Sequence, residues 1–180
     1  MALNAYMRIT SDTQGEIKGS VTQAGREDSM MVIGFSHEVE SPRDASSGLP
    51  TGKRQHKPLT ITKEIDKATP LLMKALTNNE NLSEVTIQFW EPSRSGKETQ
   101  FYTIELRNAS ICEIRQEMLN NKYPENMQHK EREHVSFVYQ KITWTYMDGG
   151  ITASDDWGGH SIMSAKTNPP FNRIFRIQKK

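Results

Sequence analysis

The residues with the most chemical promise are Gly48-Leu49-Pro50-Thr51-Gly52-Lys53-Arg54. A phosphate-cradling loop needs four residues between its glycines and a Ser or Thr after the lysine to reach magnesium. Here the spacing is one residue short and Arg54 occupies the hydroxyl position. The segment is not set between a strand and a helix, so it reads as a basic interaction loop and not as a nucleotide site. The five histidines, His37, His56, His129, His134 and His160, form no H-E-x-x-H or H-x-x-x-H pattern, which zinc on one helix face would require. His129 and His134 bracket Glu131 and Glu133, as expected of a solvated loop entering a strand. His37 falls in an alternating apolar run and is expected to be packed and hydrogen-bonded. No G-x-S-x-G nucleophile turn occurs. Asp155-Asp156 sits in a Ser- and Gly-containing segment and is expected to be solvated. General acid–base work needs groups with tuned pKa values, and nothing in the sequence predicts that positioning. No catalytic, cofactor-binding or metal-binding residues are therefore assigned.

The elements that carry these residues alternate with period two, the signature of strands with one buried face. Leu3, Ala5, Met7 and Ile9 share a face, as do Met31, Ile33, Phe35, His37 and Val39. Leu59 with Ile61, then Val85, Ile87 and Phe89, then Tyr102, Ile104 and Leu106 repeat the pattern. Val135, Phe137 and Tyr139 lie on one face of the longest run, whereas Ile142, Trp144 and Tyr146 lie on the other. A strand that changes its buried face midway calls for a bulge or a bend. Thr69 reads as an N-cap with Pro70 in the first helical position. Leu72, Ala75 and Leu76 form the helical stripe, extended backwards by Ile65 and Ala68, and Asn78-Asn79 is the stop. A helix of about two turns cannot stand alone, so it must lie on the sheet.

The expected architecture is mainly β: a small barrel of antiparallel strands with one packed α-helix and a long projecting loop. Closing the sheet removes its edges, and any edge left open invites pairing with another copy. Residues 40–57 make the long loop, without periodicity and rich in Pro, Gly and Ser; structureless loops beyond ~12–15 residues are usually functional or disordered. Residues 91–98 read as a hairpin connection and residues 120–133 as a polar loop punctuated by Pro124.

Composition narrows the function classes. The apolar residues make up 34% of the chain, under the ~45–50% of ordinary domains even with the 11 Gly added, and mean hydropathy is −0.72. Polar contacts between copies suit such a surface. The formal charge is +1, so no bulk term draws the chain to nucleic acid or a membrane. One cysteine, Cys112, cannot make an internal disulfide, so folding does not need an oxidising compartment; in Ile111-Cys112-Glu113-Ile114 it is expected to be a small packed residue. No signal peptide is expected from residues 1–9, and no apolar run nears the ~18 residues of a membrane span. Synthesis and folding in the cytoplasm follow, with no stable membrane insertion.

Four segments resemble the haemolysin co-regulated protein (Hcp) family: Ala5-Tyr6-Met7-Arg8-Ile9, residues 48–72 (GLPTGKRQHKPLTITKEIDKATPLL), residues 139–145 (YQKITWT) and Ser154-Asp155-Asp156-Trp157. The resemblance spans residues 1–157 and implies a tube subunit of a type VI secretion machine. Six copies would close into a ring, and rings would stack inside a sheath beneath a spike. Effector proteins would ride in the lumen, and subunits would reach the medium without a signal peptide. A structural and carrier role is implied, with no enzyme activity and no cofactor.

The loop suits such stacking, because it carries acids at one end and bases at the other. Glu40, Arg43, Asp44, Gly48, Pro50, Thr51, Gly52, Lys53, Arg54, His56 and Lys57 are its candidate interface residues. Heterologous head-to-tail contacts of this kind build rings or open stacks. Exposed ion pairs give only ~0–1 kcal/mol each, so ring closure must rest on apolar area and strand edges. Residues 158–180 depart from the family as a basic extension, with Lys166, Arg173, Arg176, Lys179, Lys180 and no acid; they read as a flexible tail. The alternative is a monomeric barrel that binds single-stranded nucleic acid or peptide through Phe35, Phe101 and Tyr102. The acidic balance of residues 1–157 and the core-like spacing of those aromatics argue against it.

Overall fold

The computed structural model describes residues 3–93 and 96–156; Trp157 and the predicted tail lie outside them. Ten strands and one α-helix follow in order: β1 (Ala5–Ser11), β2 (Gly15–Ile17), β3 (Met30–Ser36), β4 (Val39–Glu40), β5 (Gln55–His56), β6 (Leu59–Glu64), α1 (Thr69–Thr77), β7 (Leu82–Pro92), β8 (Glu98–Glu117), β9 (Arg132–Tyr146) and β10 (Ile151–Asp156). Strands β9-β6-β3-β1-β7-β8 pair in that order, and β8 pairs back to β9. Every pairing is antiparallel, so the sheet closes into the expected barrel.

The interior is filled by side chains. Met7, Ile9, Leu59, Ile61, Ile87, Leu106, Phe137 and Ile142 have no solvent exposure, and burying such a side chain contributes about 1.5–3 kcal/mol. The face change expected in β9 is real and is shared by its neighbours. Leu82, Ala109 and Tyr139 pair in one inward row, and Val85, Leu106 and Ile142 in the next. Two residues separate these rows on each strand instead of one, and Asn108 takes φ +48° there. Its Nδ2 donates to Gln140 Oε1 at 2.9 Å. Three strands thus shift together and keep their mutual register, while the β1–β7 ladder takes up the mismatch opposite Thr10/Ser11, with Ser83 of β7 as the extra residue. Such a line of irregularities bends a sheet on itself.

β3 reverses one expectation. Met30 and Val32 are the buried residues, while Ile33 and Phe35 are exposed. Both faces of β3 are apolar, so alternation alone could not choose, and a register shift between Val32 and Gly34 then turns Phe35 to pair with Ile61. The helix also starts differently. Thr69 is its first residue and Ala68 stands at the N-cap without a side-chain bond. The Thr69 hydroxyl instead accepts the Asp66 N–H and donates to Glu133 Oε1 at 2.9 Å. Ala68 is buried but Ile65 is not. Cys112 is exposed at the β8 bulge between Ile111 and Glu113, its thiol donating to the Ser136 carbonyl at 3.3 Å.

The antiparallel order places the C-terminal end of β6, helix α1 and the N-terminal end of β7 at one mouth. The ends of β3, β7 and β9 and the start of β8 meet at the other.

Candidate functional site

The predicted loop, residues 40–57, is a built hairpin. β4 pairs with β5 through Val39↔His56 and Glu40↔Gln55, and Arg43 bridges Pro50 further out. Thr51 donates its N–H to the Pro42 carbonyl at 2.9 Å and Lys57 its own to Glu38 at 3.0 Å. At the tip the Asp44 carboxylate accepts the N–H and hydroxyl of both Ser46 and Ser47. Those four donors hold its pKa far below the carboxylate range. Arg43 Nη1 donates to the Gly48 carbonyl at 3.0 Å, and Gly48 takes φ +69°, open to glycine without strain. Gly52 and Lys53 are exposed on the return arm, and Lys57 Nζ meets Glu40 at 3.3 Å.

The base of this hairpin is tied to the barrel mouth. Arg54 makes a two-pronged ion pair with Asp155 on β10. His56 Nε2 lies 2.7 Å from the same carboxylate, and its Nδ1 lies 2.9 Å from the Tyr139 hydroxyl. His37 Nε2 lies 2.6 Å from that hydroxyl on its other side. The His56 ring stacks on Trp144, with centroids 6.4 Å apart and planes at 15°. Asp155 is therefore not the solvated acid expected: Arg54 first, then His56, hold its pKa down to about 2 against the opposing effect of burial. Burial, and then Asp155, push the Tyr139 phenol well above its usual range, so it stays protonated. Burial, and then the neighbouring His56, hold the His37 imidazole below its ordinary value. His37 is packed and hydrogen-bonded, as expected.

Sequence reasoning found the loop and missed its anchors: Tyr139, Trp144 and Asp155. The available signal was weak. Tyr139 and Trp144 lie on the two faces of the longest alternating run, so neither strand face singled them out.

Beside this anchor β9 changes partner along one edge. β9 gives one edge to β6 over residues 132–137 and the same edge to β10 over residues 141–146. A cleft of about 210 Å³ lined by His56, Lys57, Val138 and Tyr139 marks the gap. The turn into β10 passes through Gly149 and Gly150 at φ +77° and +61°, where a side chain would be strained. Among the described residues β10 pairs with β9 alone, and Ile151 is 68% exposed. The aromatics weighed as a base-stacking platform serve the mouth instead. Phe35 and Tyr102 pack on Phe89 at 5.3 and 5.6 Å, and Phe101 lies against Tyr102.

No group of three or more metal-ligating side chains occurs among the described residues. His134 Nδ1 bonds the Thr62 hydroxyl at 3.0 Å within the β6–β9 ladder. No helix among the described residues is long and apolar enough to cross a membrane.

Comparison with known proteins adds the remaining observation. Residues 6–146 match the family described as "Type VI secretion system effector, Hcp". The chain is 46% identical over 166 residues to the "Major exported protein" of Pseudomonas aeruginosa strain PAO1, covering 87% of this chain and 96% of that protein. Among solved structures, a crystal structure of Hcp protein superposes with a TM-score of 0.81 at 34% identity, covering 86% of this chain and 97% of the other. A doubly tryptophan-substituted Hcp1 from the E. coli EAEC 042 pathovar superposes at 0.78 with 34% identity, covering 87% and 99%.

Proposed function

This chain belongs to the Hcp family of type VI secretion proteins, and from that membership we propose that it is a structural subunit of the secretion tube, closing as a hexamer into rings that stack and carry effector proteins in their lumen. The carrying observation is the family match over residues 6–146, which spans the barrel, the hairpin and most of its anchor. The packing explains why a conduit requires several copies. A six-stranded barrel is too narrow for a channel, and this one is filled by Met7, Ile9, Ile87 and Phe137. Cargo can pass only through a lumen between subunits.

The surfaces on offer support this reading. Among the described residues the outer edge of β10 pairs with no other strand, and neighbouring chains readily extend such an edge. Val39, Val138 and Ile151 expose apolar surface near it, and Met118, Tyr123 and Met127 do so on the loop between β8 and β9. The hairpin tip, with Leu49 66% exposed, is the element we assign to ring-on-ring contact. Its candidate residues divide by their bonds. Arg54 and His56 are turned inward to Asp155, whereas Lys53 is exposed and is the cation assigned to the next ring. Sheath, spike and effector proteins are the remaining partners of the proposal. Export through the type VI machine agrees with the name of the P. aeruginosa relative.

Native mass spectrometry and negative-stain microscopy of the purified chain test it. A hexameric annulus is expected; a persistent monomer at micromolar concentration overturns it.

A further inference from the structure

Four side chains from distant parts of the sequence meet at the base of the hairpin: His37 after β3, His56 on β5, Tyr139 on β9 and Asp155 on β10. Their proton positions are constrained by what each atom can do. Asp155 is a carboxylate and only accepts, so His56 Nε2 carries a hydrogen and donates to it. When His56 is neutral its Nδ1 is an acceptor, and the Tyr139 O–H donates there. The phenol oxygen then accepts from His37 Nε2–H. Every contact in the chain is satisfied.

One added proton can be absorbed. If His56 becomes an imidazolium, its Nδ1–H donates to the phenol oxygen, and the Tyr139 hydrogen swings to His37 Nε2, which accepts in the other tautomer. A second proton breaks this donor–acceptor order. Two imidazolium N–H groups would then point at one oxygen from 2.6 and 2.9 Å. The phenol hydrogen would have neither histidine to accept it, and two positive rings would stand with centroids 6.2 Å apart.

Two of the cations around the site are already bonded to carboxylates. Lys57 is bonded to Glu40, and Arg54 to Asp155. Lys141 and Asp156 face each other in the β9–β10 register. Glu38 contributes its backbone carbonyl to Lys57 N–H. Among the described residues Asp155 is the carboxylate seen bonded to His56, and it also balances Arg54.

We propose that the His37–Tyr139–His56–Asp155 chain is a pH-sensitive clamp, holding residues 41–54 against β10 near neutral pH and releasing them when both imidazoles are protonated. Histidine is the side chain whose charge changes in this range. Release leaves the barrel intact, because β1, β3, β6, β7, β8 and β9 close the wall without the hairpin. The consequence for assembly rests on the tube reading: loosening the hairpin weakens contact between rings at mildly acidic pH, while the ring itself persists.

Hydrogen–deuterium exchange on the full chain, corrected for intrinsic rates, tests the clamp at about pH 7.5 and about pH 5. Protection over residues 41–54 should fall several-fold at the lower pH, with β1 and β7 unchanged. In H37Q the second protonation is absent, and protection should stay level across the same range. Equal protection of native residues 41–54 at both pH values overturns the clamp, and so does a native-sized pH step in H37Q. Should H37Q open the hairpin already at neutral pH, the native protein decides. The midpoint of the His37 imidazole NMR titration must coincide with the opening midpoint, and separated midpoints overturn the proposal. Exchange is read whatever the oligomeric state. A working clamp with pH-independent stacking would therefore count against the hairpin as the stacking element, and not against the clamp.

Discussion

At the α1 mouth, Lys63 Nζ meets Glu133 Oε1 at 2.8 Å with both side chains buried from solvent; at the hairpin mouth, His56 meets Asp155 at 2.7 Å while Asp155 keeps a fifth of its side-chain surface exposed. The first network is saturated. Lys63 also donates to Asp66 at 2.6 Å and to the Glu64 carbonyl at 2.9 Å, and Glu133 Oε2 accepts from Gln116 at 3.1 Å. Its charged members are a lysine and carboxylates bonded to one another, with no imidazole among them. The second network is built from imidazoles and a phenol, whose hydrogens can be reassigned in place. A permanent seam and a releasable one are thus made from the same kind of cross-strand polar contact. The difference lies in burial and in which groups titrate.

The sharpest way to break this contrast is at the saturated end. Lys63→Ala or Glu133→Ala leaves a buried charge without its partner, and each should lower unfolding free energy by about 3–5 kcal/mol in denaturant titration. The K63M and E133L pair together should recover most of that loss, since a hydrophobic replacement removes both charges at once. A loss under ~1 kcal/mol in the single variants would erase the distinction between the mouths.

Tyr139→Phe should cost less, about 1–3 kcal/mol. It leaves His37 and His56 without their shared partner, and it should raise exchange in residues 41–57 while α1 keeps its protection. Uniform loosening across the barrel would show that the hairpin anchor is not separable.

Acid titration should next resolve the two mouths by their order of release. His37 has a lowered pKa in the folded chain, so the unfolded state binds more protons at mildly acidic pH. Its contribution is present above the ordinary value of 6.5 and fades as pH falls below it. Asp155 contributes above its ordinary 3.8 and is lost as pH drops through that value towards about 2. At the start of β7, Glu80 accepts bonds from Thr13, Gln14, Ser11 and Asn78, which hold it at about 2; its contribution is likewise lost only as pH falls from 4.5 towards that value. Exchange measured from neutral pH downward should show the hairpin opening first and the Glu80 region following only in strong acid. Simultaneous loss would mean that the hairpin and barrel unfold as one unit.

The smallest effect separates neighbouring cations. Lys53→Glu should leave stability within ~0.5 kcal/mol and weaken ring stacking, seen as shorter tubes in micrographs. Arg54→Glu places a carboxylate beside Asp155 and should also raise exchange in the hairpin. Tubes of unchanged length with Lys53→Glu would remove that lysine from the interface.

How much of this was legible beforehand follows from the kind of signal each element leaves. β1, β7 and the first part of β8 alternate cleanly between apolar and polar residues, so their inner faces could be read directly. β3 could not be read so, because Met30, Met31, Val32 and Ile33 offer an apolar residue to either side, and only pairing with β1 and β6 selects the even set. The face change in β9 was visible, but its cause was not, since a shift shared by three strands has no local sequence signature. The hairpin was recognised as a long loop from its composition, while its ordered ladder depends on bonds to residues outside it.

The sequence by itself determined a mainly β chain with one short helix, a basic loop and the segments that mark its family, because periodicity, turn residues and motifs are local properties. Tertiary structure decided that Lys63 points inward to Glu133, that Asp155 is bound and not solvated, and that positions 37, 56, 139 and 155 form one hydrogen-bonded chain. Those contacts join strands far apart in sequence. Their geometry is set by ladder register, and register emerges only when the sheet closes and all the inner faces compete for the same core.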